Sequence, residues 1–232
     1  VAVPITKGKV PVITIDGPSG TGKGTIAHML AKDLGWHLLD SGALYRVVAV
    51  GSEDLGIAPC DVEGLCGFAG SMDLQFSTIF PGSIVLAGQE ISARIRLEES
   101  GAKASRVAVI PELRQALLER QHAFRQAPGL VADGRDMGTV VFPDARLKIF
   151  LTAGAEVRAD RRYKQLINKG VDVNLRDLLV DIRARDERDS NRAVAPLVPA
   201  ADAVVVATDS LTAEQVYALV KQEALSRFMV NV

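Results

Sequence analysis

Cysteine is scarce in this chain, which has only Cys60 and Cys66. Two thiols cannot form a disulfide framework, and no further Cys or His lies at the spacing a zinc site needs, so both are expected as reduced thiols. Net charge is nearly absent too: the formal value of -1 at pH 7 argues against a protein that coats nucleic acid. Long apolar runs are missing, and none approaches the roughly 18 residues of a membrane span. Val1 to Lys9 carries no signal-peptide core, so a soluble, cytoplasmic protein is expected. No internal repeat or low-complexity tract occurs. With 232 residues, the chain can bury a sizeable core as one domain and still carry inserted lobes.

Glycine is concentrated in one place. The run Gly17-Pro18-Ser19-Gly20-Thr21-Gly22-Lys23-Gly24-Thr25 follows the apolar stretch Val10 to Ile15 and precedes the helical pattern Ile26 to Ala31. Strand, glycine-rich turn with a lysine, then helix is the setting of a phosphate-binding loop. Backbone N–H groups converge there on a polyphosphate, the helix presents its positive end, and Lys23 reaches the outer phosphates. Gly24 stands where Ser or Thr is commonest, and the hydroxyl follows one place later as Thr25. That ending is closer to the nucleoside monophosphate kinases than to the signalling GTPases.

Strand patterns recur at Val10 to Ile15, His37 to Leu39, Leu130 to Ala132, Leu147 to Leu151 and Ala203 to Ala207, with helical patterns between most of them. This alternation predicts an α/β fold, a P-loop three-layer arrangement with a central parallel sheet. Ligands in such sheets bind beyond the C-terminal strand ends. Between Asp73 and Ile95 the pattern becomes short and β-like, at Leu74 to Phe76, Ile84 to Leu86 and Gln89 to Ile91, with a Pro81-Gly82 turn. A small antiparallel insert is expected, preceded by a weak helix carrying Gly64, Gly67 and Gly70. The helical patterns Ala155 to Lys169 and Leu175 to Ser190 predict an Arg-rich cover. The whole is read as one domain over 1–232, with an insert at 64–104 and a lid at 154–172.

Four further groups of residues carry chemistry. Ser41 is expected to cap the helix that follows the second strand, and with Arg46 it forms a candidate anion site. Asp133 ends an apolar strand and is the candidate Mg²⁺ ligand, with the Thr25 hydroxyl as partner. Arg135 beside it offers a planar fork for phosphate. Arg158 and Arg162 share a helical face with Arg161 at its edge, suited to a transferring phosphoryl group; the alternative is a solvated face paired with Glu156 and Asp160. Arg185, Arg188, Asp189 and Arg192 fall on one helical face and are read as ligand contacts, whereas for Arg183 and Glu187 the reading is that of helix-surface ion pairs.

Taken together, the glycine-rich loop, Asp40 to Arg46, Asp133 to Gly138 and Arg185 to Arg192 resemble the bacterial cytidylate kinases over nearly the whole chain. The resemblance implies transfer of the ATP γ-phosphoryl group to CMP or dCMP, with Mg²⁺ accompanying ATP. The insert would close over the monophosphate and the Arg-rich segment over ATP. Ser41, Arg46 and Arg135 would hold the CMP phosphate, Ser105, Arg114 and Asp136 would read cytosine, and Arg185 and Asp189 would hold the sugar, with Arg192 near the phosphates. Lys23, Arg135, Arg158, Arg162 and Arg188 form the expected catalytic set. The partners are these nucleotides alone, with no nucleic acid or membrane, and the chain is expected as a monomer. Another acceptor, such as AMP, UMP or shikimate, is the alternative enzyme. A GTPase-like switch fits less well, because Asn168-Lys169-Gly170-Val171-Asp172 places its carboxylate one residue late for a guanine reader.

Overall fold

The computed structural model describes residues 9–76 and 83–228. The expected Pro81-Gly82 turn lies outside the described residues. In chain order the elements are β1 (Val12–Asp16), α1 (Lys23–Leu34), β2 (His37–Asp40), α2 (Ser41–Asp54) and α3 (Val62–Ser71). Next come β3 (Leu74–Phe76), β4 (Ile84–Leu86), β5 (Gln89–Glu90), α4 (Ser92–Ile95), α5 (Glu98–Val107) and α6 (Pro111–Ala123). β6 (Leu130–Asp133) leads into a π-helical turn (Met137–Val141), followed by β7 (Leu147–Thr152), α7 (Ala155–Ile167), α8 (Leu175–Ser190), β8 (Val204–Ala207) and α9 (Ala213–Phe228). The chain forms two compact units, one of Ser41–Arg120 and the other of the residues before and after it.

The larger unit is built on a five-stranded sheet in the order β2-β6-β1-β7-β8. All four of its strand pairs are parallel. β1 lies at the centre and is buried throughout its length, which is why its sequence is an apolar run rather than an alternation. Ile13 and Ile15 of β1 join Leu30 of α1, Val131 of β6, Ile149 and Leu151 of β7, and Val216 and Val220 of α9 in one core cluster. α1 contributes Ile26, Ala27, Leu30 and Ala31 as its buried stripe, the spacing of one helical face. Each parallel strand therefore ends on the same side of the sheet, and the loops after β1, β6 and β7 begin there.

The smaller unit holds the three-stranded sheet β3-β4-β5, antiparallel in both pairings. Its strands fall where the short β-like pattern lies in the sequence. α3 carries the three glycines and is capped by Asp61, whose side chain accepts from the Gly64 N–H at 2.9 Å. Gly51 of α2 packs where a Cβ would stand 2.5 Å from Phe68 Cζ, so glycine lets α2 and α3 approach. Arg94 pairs with Asp54 and Lys103 with Glu53; these pairs are exposed, and each contributes about 0–1 kcal/mol.

The start of β2 depends on one close approach in the larger unit. The Gly129 carbonyl accepts from His37 N–H at 2.9 Å, and a Cβ on Gly129 would fall 2.2 Å from Trp36 Cδ2. Trp36 is itself packed edge-on against Phe228, with ring centroids 5.2 Å apart, which resists displacement of the indole. Gly129→Ala should lower stability by about 1–3 kcal/mol through this overpacking, seen as a lower midpoint in thermal denaturation; an unchanged midpoint would show that the ring has room.

Candidate phosphate-binding site

The loop after β1 is shaped by its backbone. Gly17 adopts φ 140°, and a Cβ there would overlap the Leu151 carbonyl oxygen at 2.0 Å, so no other residue permits this turn beside β7. Thr21 Oγ1 donates to the Pro18 carbonyl at 3.0 Å and Lys23 Nζ donates to the same oxygen at 2.7 Å. The loop is thus wound around its own lysine. α1 begins at Lys23 after Gly22, with no side-chain cap on its first turn; its leading N–H groups are the donors an anion can take.

Lys23 is buried, and burial pushes its pKa down to about 7, with the Arg135 and Arg185 guanidinium groups acting the same way and Asp133 and Asp16 opposing them. An ammonium held out of water among arginines is a group that binds negative charge strongly. Gly24 lies close to the end of β6: a Cβ there would stand 3.3 Å from Asp133 Oδ2. The carboxylate at the end of β6 therefore adjoins the first turn of α1, while Thr25 on that turn is exposed.

Arginines and carboxylates of the larger unit converge at the strand ends. Asp189 of α8 is buried; burial alone would raise its pKa, but Arg135, Arg192 and Arg185 outweigh this and hold it below the ordinary value. Arg135 Nε donates to Asp189 Oδ2 at 3.0 Å, and Arg192 pairs with the other oxygen. The helical-face expectation needs one correction: α8 ends at Ser190 with Asn191 as its cap, so Arg192 reaches Asp189 from beyond the helix rather than along it. Arg185 and Arg188 are on α8 and half-buried. Asp136, between Arg135 and the π-helical turn, is buried.

Arg158 differs from its expected surroundings. It is buried, with Nε donating to the Ala153 carbonyl at 2.9 Å and Nη1 to the Ser19 carbonyl at 3.0 Å, and it pairs with Asp186 of α8. The partners of the alternative, solvated-face reading are engaged elsewhere, Glu156 with Arg183 and Asp160 with Lys164. Arg183 thus sits in an exposed surface ion pair, as expected, with Glu156 as its partner. Arg161 turns to the Thr208 side chain and carbonyl, and Arg162 is half-buried with Gln165 as a partner. Asp186 carries no signal of this role in the sequence, although it lies inside the Arg-rich segment 183–192.

The remaining candidates lie in the smaller unit. Ser41, expected as a cap, is instead the first residue of α2, because β2 runs into that helix without an intervening loop. Ser41, Ser105 of α5 and Arg114 of α6 are all buried. Arg114 donates to the Ala108 carbonyl at 3.2 Å and lies over the Tyr45 ring at 5.8 Å. Arg46 contacts the Ile95 carbonyl at 3.4 Å, and its buried Nε has no hydrogen-bond partner among the described residues.

A central parallel sheet, a glycine-rich loop wound around a buried lysine and an uncapped helix start define a P-loop nucleotide-binding protein. The cytidylate kinase family model matches residues 13–225. A cytidylate kinase of Pseudomonas entomophila (strain L48) is 56% identical over 225 residues, covering 96% of this chain and 99% of that protein. One of Azotobacter vinelandii (strain DJ) is 57% identical over 219 residues, covering 93% and 96%, and one of Bordetella bronchiseptica is 57% identical over 214 residues, covering 92% and 95%. The chain belongs to the cytidylate kinase family.

Asp186→Ala would leave the buried Arg158 guanidinium without its carboxylate. A loss of about 1–3 kcal/mol is expected, measured by urea denaturation; no change would mean that the two backbone carbonyls alone suffice for Arg158.

Proposed function

We propose that this protein transfers the γ-phosphoryl group of ATP to CMP and dCMP, giving ADP and the nucleoside diphosphate, in the cytoplasm and as a monomer. The observation that carries this reading is the buried, arginine-surrounded Lys23 inside a chain matched over 96% of its length by a cytidylate kinase. Gly17 to Thr25 receive the ATP phosphates. Arg135, Asp136, Arg185, Asp189 and Arg192 of the larger unit, and Ser41, Arg46, Ser105 and Arg114 of the smaller one, are assigned to CMP. The partnerless Arg46 Nε supports an anion there. In this reading residues 64–104 act as the monophosphate-binding insert and 154–172 as the lid.

A phosphate oxygen of CMP attacks the γ-phosphorus in line, and the bond to the bridging oxygen of ADP breaks. The second pKa of a phosphate monoester is about 6, so the attacking oxygen is largely ionised at neutral pH and no general base is needed. What remains is to hold two anions in line and neutralise the charge between them, the work assigned to Lys23, Arg135, Arg158, Arg162 and Arg188. The Asp133 carboxylate and the Thr25 hydroxyl are an oxygen-only donor set of the kind Mg²⁺ takes, the rest of its shell coming from phosphate and water. Bound there, Mg²⁺ would neutralise charge on the transferring phosphates. Cytosine presents an amino donor where uracil presents a carbonyl acceptor. A carboxylate at Asp136 attracts the first and opposes the second.

Two measurements test this. At fixed ATP and Mg²⁺, CMP and dCMP should be phosphorylated at least about tenfold more efficiently than UMP, AMP or shikimate; a preference for AMP or shikimate would overturn the assignment. Asp136→Asn should raise the KM for CMP and reduce its advantage over UMP by about tenfold, read from kcat/KM for the two acceptors, and an unaltered ratio would remove Asp136 from base recognition.

A further inference from the structure

Alternation along β1 puts Thr14 and Asp16 on the same side of the strand, and both are buried. Asp16 is the last residue of β1, held in register beside Phe150 of β7 and followed at once by the turn at Gly17. Its carboxylate accepts two backbone bonds from one loop, from Met137 N–H at 2.9 Å and from Gly138 N–H at 2.8 Å. Thr14 fits the same loop from beneath, since a Cβ on Gly138 would stand 2.8 Å from Thr14 Oγ1. On the other side, Gly134 N–H donates to the Ile15 carbonyl at 3.1 Å. The segment after β6 is therefore fastened to β1 at both ends, at Gly134 and at Met137 with Gly138. The two residues between the fastenings are Arg135 and Asp136.

Burying this carboxylate is costly: burial raises its pKa to about 7 despite the two amide bonds that lower it, and the neighbouring Asp136 and Asp133 charges raise it further. An alanine or valine would fill a strand end without that penalty, and both Asp16 oxygens are already taken up by the Met137 and Gly138 amides. Its partners are backbone amides, and a charged acceptor holds such donors more tightly than a neutral one.

We propose that Asp16 is a positioning residue for acceptor recognition: it fixes the loop that carries Arg135 and Asp136 to the strand that carries the phosphate loop. The inference rests on the reading of Asp136 as the base reader. One carboxylate thus gives the acceptor-reading loop and the phosphate loop a common rigid origin. Asparagine at this position keeps one acceptor and turns an NH₂ group towards the second amide. Glutamate keeps both oxygens but adds a methylene that displaces the loop.

The test measures KM and kcat for CMP, UMP and ATP in the intact protein and in Asp16→Asn and Asp16→Glu, with amide hydrogen exchange at Met137 and Gly138. Asp16→Asn should raise the KM for CMP about tenfold, the loss of one charge-assisted bond. It should narrow the CMP to UMP ratio similarly while the KM for ATP moves less than about threefold, and Asp16→Glu should fall between. Exchange at the two amides should be slow in the intact protein and accelerate selectively in Asp16→Asn. An unchanged acceptor ratio in a folded variant, or a KM for ATP that rises as much as that for CMP, would overturn the proposal. If Asp16→Asn does not fold, Asp16→Glu and the intact protein decide: fast exchange at Met137 and Gly138 without substitution rules the clamp out. Failure of the base-reading assignment is separate, because Asp136→Asn would then leave the CMP to UMP ratio unaltered, whereas exchange at Met137 and Gly138 reports the clamp itself.

Discussion

Positive charge gathered out of water at one edge of a parallel sheet is the constraint on which the larger unit depends. Lys23 and Arg158 are buried there, and Arg135 and Arg192 converge on a buried carboxylate. Left alone, such cations would repel one another and lose their hydration. Asp133, Asp186 and Asp189 offset part of this, and burial still pushes Lys23 down to about 7. The larger unit therefore holds buried positive charge that its own carboxylates offset only in part, and under the proposed function a bound polyanion would complete the balance. Binding energy of that origin can be directed to a phosphoryl group whose charge is redistributed during transfer.

The fold brings this charge together by means that are mostly backbone. Parallel pairing aligns the ends of β1, β6 and β7, so that the phosphate loop, the Asp133 to Gly138 segment and the start of α7 all leave the sheet on one side. α7 and α8 are then tied to the loop by Arg158, which joins Asp186 to the Ser19 carbonyl. The arginine-bearing helices are consequently connected to the phosphate loop through one buried side chain. The smaller unit is braced on its own, by the close approach at Gly51 and by ion pairs from α2 to the helices that follow.

Much of this was legible in the sequence, for definite reasons. The phosphate loop could be read because its turns accept only glycine, as the overlap of a Gly17 Cβ with the Leu151 carbonyl makes plain. The buried central strands could be read because two covered faces demand continuous apolar runs. Gly24 was legible as a family trait, but its nearness to Asp133 was not, since that depends on β6 pairing beside β1. The Arg158 to Asp186 pair was hidden because it spans 28 residues and follows from how α7 packs on α8. Arg192 was misplaced by extending a helical period past its end at Ser190. Asp16 gave no local signal, because an aspartate ending a strand before a glycine turn looks like ordinary turn chemistry.

The most direct test of this electrostatic account is the titration of the Lys23 ammonium, followed by NMR of its side-chain nuclei in the free protein and with ATP bound. The account predicts a pKa near 7 without nucleotide and a rise of more than about two units when phosphate charge is bound beside it. A Lys23 that titrates at the ordinary lysine value of 10.5 in the free protein, and does not move when ATP binds, would contradict it.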